Sequence, residues 1–365
     1  MKFYNIFFKN KMKTQNQNQL HLFIFILLLI QLIAIDTNDL KIQCLKKNEY
    51  DYYFNNFLYK QTHCLKNLEN NNLIDYNSIK TLYNDCNHCT TNEILEGLKI
   101  VSPEDTLNEI IYNNKSISRF GDGEFSLIFG NDIGFQKTNK LISNRLYNIL
   151  QNNEEGLLIG LPNPLNIEYL DNFKNFAAKY WRKWIEDNKF KLMILNKNKT
   201  YYSSFITRFY IDYKDNSGVY KYIKKLKKIW EQKDVLIIEG EKSRLGVGND
   251  LFDNMKSIIR IICPSLNAFN VYDKILNAAL KVDKNRLILI ALGPTASILA
   301  YDLYKAGYHA IDVGHVDIEY EWYLRNATTK IKIKNKFVNE AKGGKKNIED
   351  IKDKNYYNQI IEKIF

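Results

Sequence analysis

The feature that most constrains this chain is a series of short apolar runs that do not alternate with polar residues. They read "GLLIGLP" from Gly156, "DVLIIEGE" from Asp234, "IIRIICP" from Ile258, "RLILIALG" from Arg286 and "HAIDVG" from His309. A strand apolar on both sides must be covered on both sides, which is the situation of a parallel sheet between two layers of helices. The stretches between the runs fit that reading, with helical spacing after Glu124 and helices expected from Leu251, Asn267 and Pro294. The strand "SISRF" from Ser116 joins the series, and the expected fold class is a Rossmann-like α/β domain with helices on both faces. In such a sheet ligands bind beyond the carboxyl ends of the strands. The informative loops "GDGE", "GEKSRLGVGND" and "GPTAS" all fall there.

Composition narrows the partners. Hydrophobic residues at 45% and aromatic residues at 13% are those of a folded protein. The net charge of +11 raises nucleic acid, a membrane surface or an anionic substrate as partners. The lysines cluster at Lys2, Lys9, Lys11 and Lys13, at Lys224 to Lys228, and from Lys330 onward, without an aromatic-interleaved face. No nucleic-acid partner is therefore expected.

The first 19 residues read as a basic cytosolic segment, and residues 20–35, "LHLFIFILLLIQLIAI", as a signal-anchor that enters the membrane. As a helix this span would reach roughly 24 Å, which suits the thinner endoplasmic reticulum bilayer. The remainder would then be lumenal, in the endoplasmic reticulum or Golgi, or secreted if the span is cleaved. Residues 36–92 form a stem carrying Cys44, Cys64, Cys86 and Cys89, for disulfides in an oxidising lumen or, alternatively, for zinc. Cys263 reads as a buried strand residue, and Asn114, Asn198 and Asn326 head glycosylation sequons. A catalytic domain is expected over 93–340, followed by a lysine-rich tail, 341–365, ending in a short helix at Tyr356 to Phe365.

Chemistry concentrates at the loops. Gly121 and Gly123 would let the backbone turn tightly, so that Asp122 and Glu124, two apart in an extended bend, face one point. Two hard oxygen ligands suit Mg²⁺ or Mn²⁺, and Arg119 beside them could grip phosphate. The competing reading of the same bend is a capped helix start. Lys242, Ser243 and Arg244 add positive charge and a hydroxyl next to glycines, while Gly293, Pro294 and Thr295 open a helix whose free N–H groups suit an anion. None of these matches a Walker A loop or a GxGxxG fingerprint. His315, Asp317, Glu319 and Glu321 crowd one helix start, and general acid–base chemistry could draw on them.

Together, "SISRFGDGE", "GFQK" (Gly134 to Lys137), "LIIEGEKSRLGVGNDLFDNMKS" and "ALGPTASILAYDLYKAGYHAIDVGHVDIEYEWYL" resemble the GT-D fold glycosyltransferases, formerly domain of unknown function 1792. The resemblance implies a transferase that moves a hexose, glucose foremost, from a UDP-sugar to a hydroxyl of a glycan or glycoprotein. It also implies a divalent metal on Asp122 and Glu124, with Arg119, Gly121, Gly123, Lys242, Ser243, Arg244, Gly293, Pro294 and Thr295 around the donor. If transfer inverts the anomeric centre, Asp317, then Glu319, with His315 beside them, are the expected bases. The alternatives are a non-catalytic lumenal nucleotide-sugar binder and a nucleotide-sugar hydrolase. The membrane span and cysteine-bearing stem depart from the bacterial members.

Overall fold

The computed structural model describes residues 90–365. Its first half runs α1 (Thr91–Leu95), β1 (Lys99–Ile100), α2 (Pro103–Tyr112), β2 (Ser116–Arg119), α3 (Asp122–Ile128), α4 (Lys140–Gln151), β3 (Leu157–Leu161), α5 (Asn175–Asn188), β4 (Thr200–Ser203) and α6 (Val219–Lys227). The second half runs β5 (Asp234–Gly240), β6 (Ser257–Cys263), α7 (Tyr272–Ala279), β7 (Leu287–Ala291), α8 (Pro294–Lys305), β8 (Ala310–Asp312), α9 (Val316–Leu324), α10 (Lys354–Gln359) and β9 (Ile360–Lys363). The basic segment, the expected membrane span, the four stem cysteines and nearly all of the stem lie outside the described residues. Among the described residues no helix is long and apolar enough to cross a membrane.

The strands form one sheet in the order β1-β4-β3-β2-β8-β7-β5-β6-β9, and every pairing is parallel. The doubly apolar runs occupy its middle, as their composition requires. Leu236, Ile238, Ile288 and Ile290 face one layer with α3, α4, α7 and α8, while Val235, Ile237, Leu287 and Leu289 face the other with α2, α6 and α9. Each such side chain, fully buried, contributes about 1.5–3 kcal/mol. Cys263 is buried in β6 as expected, and burial pushes its thiol up.

Two expectations are corrected. No α-helix follows Leu251: β5 joins β6 through turns, because Arg244, Gly246 and Gly248 all take positive φ and Asn249 Oδ1 accepts the Leu251 N–H at 3.0 Å. A left-handed backbone repeated at such short intervals cannot feed an α-helix. The tail beyond residue 340 is also built into the fold. α10 starts where Asp353 Oδ1 accepts the Tyr356 N–H at 3.0 Å, and it gives way to β9, which extends the sheet beside β6 in place of a helix to Phe365. Asn114 and Asn198 are exposed ahead of β2 and β4, and Asn326 is exposed after α9.

Candidate active site

A parallel sheet sends all its carboxyl ends to one edge, and here that edge borders a cavity of about 860 Å³. Residues at or just beyond the ends of β2, β4, β5, β6, β7 and β8 line it, among them Asp122, Ser204, Gly240, Ser265, Gly293 and His315. At its centre are β2 and β8. From β2 the chain continues to β3 on one side, whereas β8 arrives from β7 on the other, so the cavity lies at the switch point of the topology.

The bend after β2 is tighter in function than in backbone. Gly121 is extended at φ −132°, and the helix begins at Asp122. Glu124 Oε2 accepts the Gly121 N–H at 2.7 Å, a capping arrangement that holds the helix start. The expected extended bend with both carboxylates facing one point is thereby corrected, because residues two apart in a helix do not share a face. Asp122 is exposed on the cavity, and its Oδ2 accepts the Tyr180 hydroxyl. Burial first, and then the nearby Asp312 carboxylate, push Glu124 up to about 7 against the Gly121 N–H.

Arg119 does not extend a free fork into the cavity. Its Nη1 donates to Ser204 O at 2.8 Å and Thr207 Oγ1 at 2.6 Å, and its Nη2 donates to Asp312 Oδ1 at 3.1 Å. It therefore ties the ends of β2, β4 and β8 together. Gly314 makes room for it, since a Cβ there would lie 2.0 Å from Nη2, at a backbone φ of 46°. Gly293 plays the same part toward Phe135, whose ring would be 2.6 Å from a Cβ.

Of the other residues expected around a donor, Gly121, Gly123, Ser243 and Gly293 line the cavity. Pro294 and Thr295 are buried in the first turn of α8, which is tied to β2 through Ser297 Oγ on Arg119 O (2.7 Å) and Ser118 Oγ on Ser297 O (2.8 Å). Lys242 and Arg244 turn toward the C-terminal segment, a second correction. Lys242 Nζ donates to Ile348 O at 3.3 Å, and Arg244 donates to Asn335 O, Glu349 O and Asp350. Arg244 itself sits in a left-handed backbone conformation, at a φ of 52°.

The two carboxylates expected as bases are held by protein groups. Asp317, 1% exposed, accepts the Gly246 N–H (2.9 Å) and Asn249 Nδ2 (2.8 Å) on Oδ1 and Lys336 Nζ (2.6 Å) on Oδ2. Glu319 Oε1 accepts the N–H groups of Tyr210 and Ile211, both at 2.8 Å. Both are raised, chiefly by burial, Glu319 to about 7. They organise loops around the first turn of α9. His315, which precedes α9, lines the cavity, as Asp317 also does, and its Nδ1 lies 2.9 Å from Glu340 Oε1.

Glu340 is the hub of a network that no motif announced. Arg208 donates to both of its oxygens, and Lys330 Nζ donates to Oε2 at 2.6 Å while standing 3.4 Å from Asp212. Burial pushes Glu340 up, but Arg208 and His315 outweigh it and hold this carboxyl well below its ordinary range. Asp312 was also missed, although its place at the end of "HAID" marks it as a residue at a strand's carboxyl end. Arg208 and Asp212 lie on one loop, and Lys330 and Glu340 on another segment much later in the chain, so only the fold brings the two pairs together.

Among the described residues no three His, Cys, Asp or Glu side chains are arranged to hold a metal ion. Asp122, exposed on the cavity wall, still fits a Mg²⁺-like site, which typically takes one or two carboxylates and completes its shell with waters and substrate phosphate, while Glu124 lines the same cavity and caps the helix that carries Asp122.

Comparison with known proteins bears on the fold and the family. The family model described as the glycosyltransferase GT-D fold matches residues 117–341. Glycosyltransferase GlyD of Streptococcus pneumoniae serotype 4 is 38% identical over 271 residues, covering 74% of this chain and 33% of its own length. The probable glycosyl transferase Gly of Streptococcus gordonii is 39% identical over 265 residues, covering 72% of this chain and 38% of its own. The chain thus spans about a third of the length of these curated relatives. A solved domain of unknown function 1792, described as having a distinct glycosyltransferase fold, is 40% identical and superposes with a TM-score of 0.71, covering 75% of this chain and 98% of that one.

Proposed function

Because the chain belongs to the GT-D glycosyltransferase family, we propose that it transfers a hexosyl group, glucose foremost, from a UDP-sugar to a hydroxyl of a glycan or glycoprotein acceptor. The observation that carries this reading is the meeting, in one cavity at the switch point, of Asp122 and Glu124 with the His315–Glu340 pair. A cavity of about 860 Å³ is in the range that encloses a ligand of nucleotide-sugar size. Asp122 would hold the divalent ion, Mn²⁺ or Mg²⁺, with Glu124 fixing the helix start that carries it, and the ion when bound neutralises charge on the departing nucleoside diphosphate.

The residues of this chain then supply the remainder. Ser243 and Gly293 form a wall of small groups that the donor can approach closely. For an inverting transfer, the ring of His315 takes the acceptor proton on Nε2 while Glu340 fixes the Nδ1 side, as a carboxylate orients a general base elsewhere. Arg208 and Lys330 keep Glu340 ionised for that purpose. Arg119 and Asp312 hold the floor between the two groups.

The cellular setting we propose is the endoplasmic reticulum or Golgi membrane, with the catalytic domain lumenal. The support is the apolar stretch 20–35, the cysteine-bearing stem and the exposure of Asn114, Asn198 and Asn326.

The test uses the full chain. Thermal shift and nucleoside diphosphate release are measured for each common UDP- and GDP-sugar, with Mn²⁺ or with chelator, beside Asp122→Ala. Metal-dependent stabilisation and release by one donor, both lost in the variant, is the expected result. A folded protein that responds to no donor overturns the proposal.

A further inference from the structure

Exposed large apolar side chains are scattered over this surface, but among the described residues only Phe176 and Tyr180 both belong to that set and line the cavity. They are 44% and 49% exposed and stand four apart on α5, hence on one face of the helix. Behind them the wall is rigid. Trp181 meets Tyr180 edge-on at 5.5 Å, Trp184 at 5.5 Å and Phe205 at 5.7 Å.

This aromatic face is attached to the chemistry on two sides. The Tyr180 hydroxyl donates to Asp122 Oδ2, the carboxylate at the candidate metal position. Glu340 and Arg208 also lie close enough to act on the Tyr180 phenol, which burial and Asp122 chiefly push up. Tyr180, Asp122, His315 and Glu340 all line the one cavity. On the cavity lining, Asn339 Oδ1 is buried without a hydrogen bond, and Asp212, only 4% exposed, has Lys330 Nζ at 3.4 Å from its Oδ1.

Buried acceptors without donors are costly unless a ligand supplies them. A pyranose ring does so, because it offers hydroxyl donors at its edge and a C–H face that packs on an aromatic ring. We propose that the Phe176–Tyr180 face is the acceptor subsite, which stacks a hexopyranose ring of the acceptor glycan and presents one of its hydroxyls to His315. This deepens the function proposed above and rests on it. A nucleobase would also stack, but the sheet order favours the sugar. α5 and the loop after β4 lie on one side of β2 and β8, and the small-residue wall of Gly240, Ser243, Ser265 and Gly293 lies on the other. The acceptor belongs on the side that holds the base.

The experiment is saturation-transfer NMR and titration on the full chain with methyl glucoside, methyl galactoside and methyl N-acetylglucosaminide, and separately with UDP. In the wild type the ring C–H protons of at least one methyl glycoside become saturated. Phe176→Ala weakens that glycoside by about fivefold to tenfold, leaves UDP affinity within about twofold, and Phe176→Tyr restores binding. UDP weakened in step with the glycoside in Phe176→Ala overturns the proposal in favour of a nucleobase. It is equally overturned if no methyl glycoside binds the wild type or if Phe176→Ala binds it unchanged. A wild type that binds the glycoside but no UDP counts against the transferase reading while leaving the sugar platform in place.

Discussion

Gly314 and His315 are neighbours in sequence with opposite duties, and substitutions separate them. Alanine at 314 would have its Cβ 2.0 Å from Arg119 Nη2 at a positive φ, so either the guanidinium leaves Asp312 or the backbone shifts. We expect Gly314→Ala to cost about 1–3 kcal/mol in urea unfolding, whereas Gly218→Ala, with nothing within 4 Å, should change stability by under about 1 kcal/mol. Equal midpoints for the two variants would refute the clash. His315→Gln should behave in the converse way, lowering kcat by about 10²- to 10⁴-fold with donor binding and melting temperature unchanged. Asp317→Asn, in contrast, should lower stability by about 1–3 kcal/mol, because Lys336 is buried against that carboxylate. If transfer falls with Asp317→Asn at constant stability, Asp317 and not His315 takes the proton. Asp122 and Glu124 were legible because two carboxylates at a glycine-flanked strand end stand out locally. Their orientation was not, because it depends on whether the helix starts one residue earlier or later.

At the scale of elements, the long apolar strands were readable because burial on both faces leaves a compositional mark. β1, β4 and β9 left none: they are two to four residues long, and neighbouring strands at the sheet margins, not their own pattern, define them. The C-terminal lysines likewise suggested a solvated tail, yet Tyr356 and Ile364 are buried at 4% and 5% exposure. Arg260 explains the attachment. It pairs with Glu239 inside β5 and β6, its Nε donates to Gln359 Oε1 at 2.7 Å, and it lies 5.1 Å from the Tyr356 ring centre. Truncation after Ile351 should therefore remove about 3–6 kcal/mol of apolar burial from these two side chains and uncover the β6 edge, a template for association. Light scattering on heating would show it, and a truncated chain as soluble and stable as the parent would mean that β9 is not integral. Lys242 and Arg244 belong to the same lesson. Their charge was visible, but their target, the segment 335–350, was visible only once the chain had folded.

For the whole molecule, acid stability follows from buried groups that pull in opposite directions. His309 lies beside β8, with Nε2 3.0 Å from Lys115 O, and burial, helped by Lys233, holds it down at about 4. Between the ordinary imidazole value near 6.5 and 4, the unfolded chain takes up a proton that the folded chain refuses, so stability falls as pH falls through that window, by roughly 3 kcal/mol. Glu319 acts with the other sign. Its folded value of about 7 exceeds the ordinary value, so the folded chain keeps a proton that the unfolded chain releases, and stability falls as pH rises from about 4.5 to about 7. Glu124, which burial also raises to about 7, adds to the Glu319 slope, so the two carboxyls outweigh His309 and the wild type should lose stability as pH rises from about 4.5 to about 7. Single variants should uncover each slope. His309→Gln, measured by urea unfolding from pH 4 to 8, should lose stability more steeply than the wild type as pH rises, whereas Glu319→Gln should gain stability relative to the wild type as pH rises from 5 to 8. Since the Glu319 side chain accepts the Tyr210 and Ile211 N–H groups beneath the cavity wall, glutamine can keep those bonds through its own oxygen. A parallel offset of either variant from the wild type at every pH would show that the group changes stability by packing alone, with no proton linked to folding.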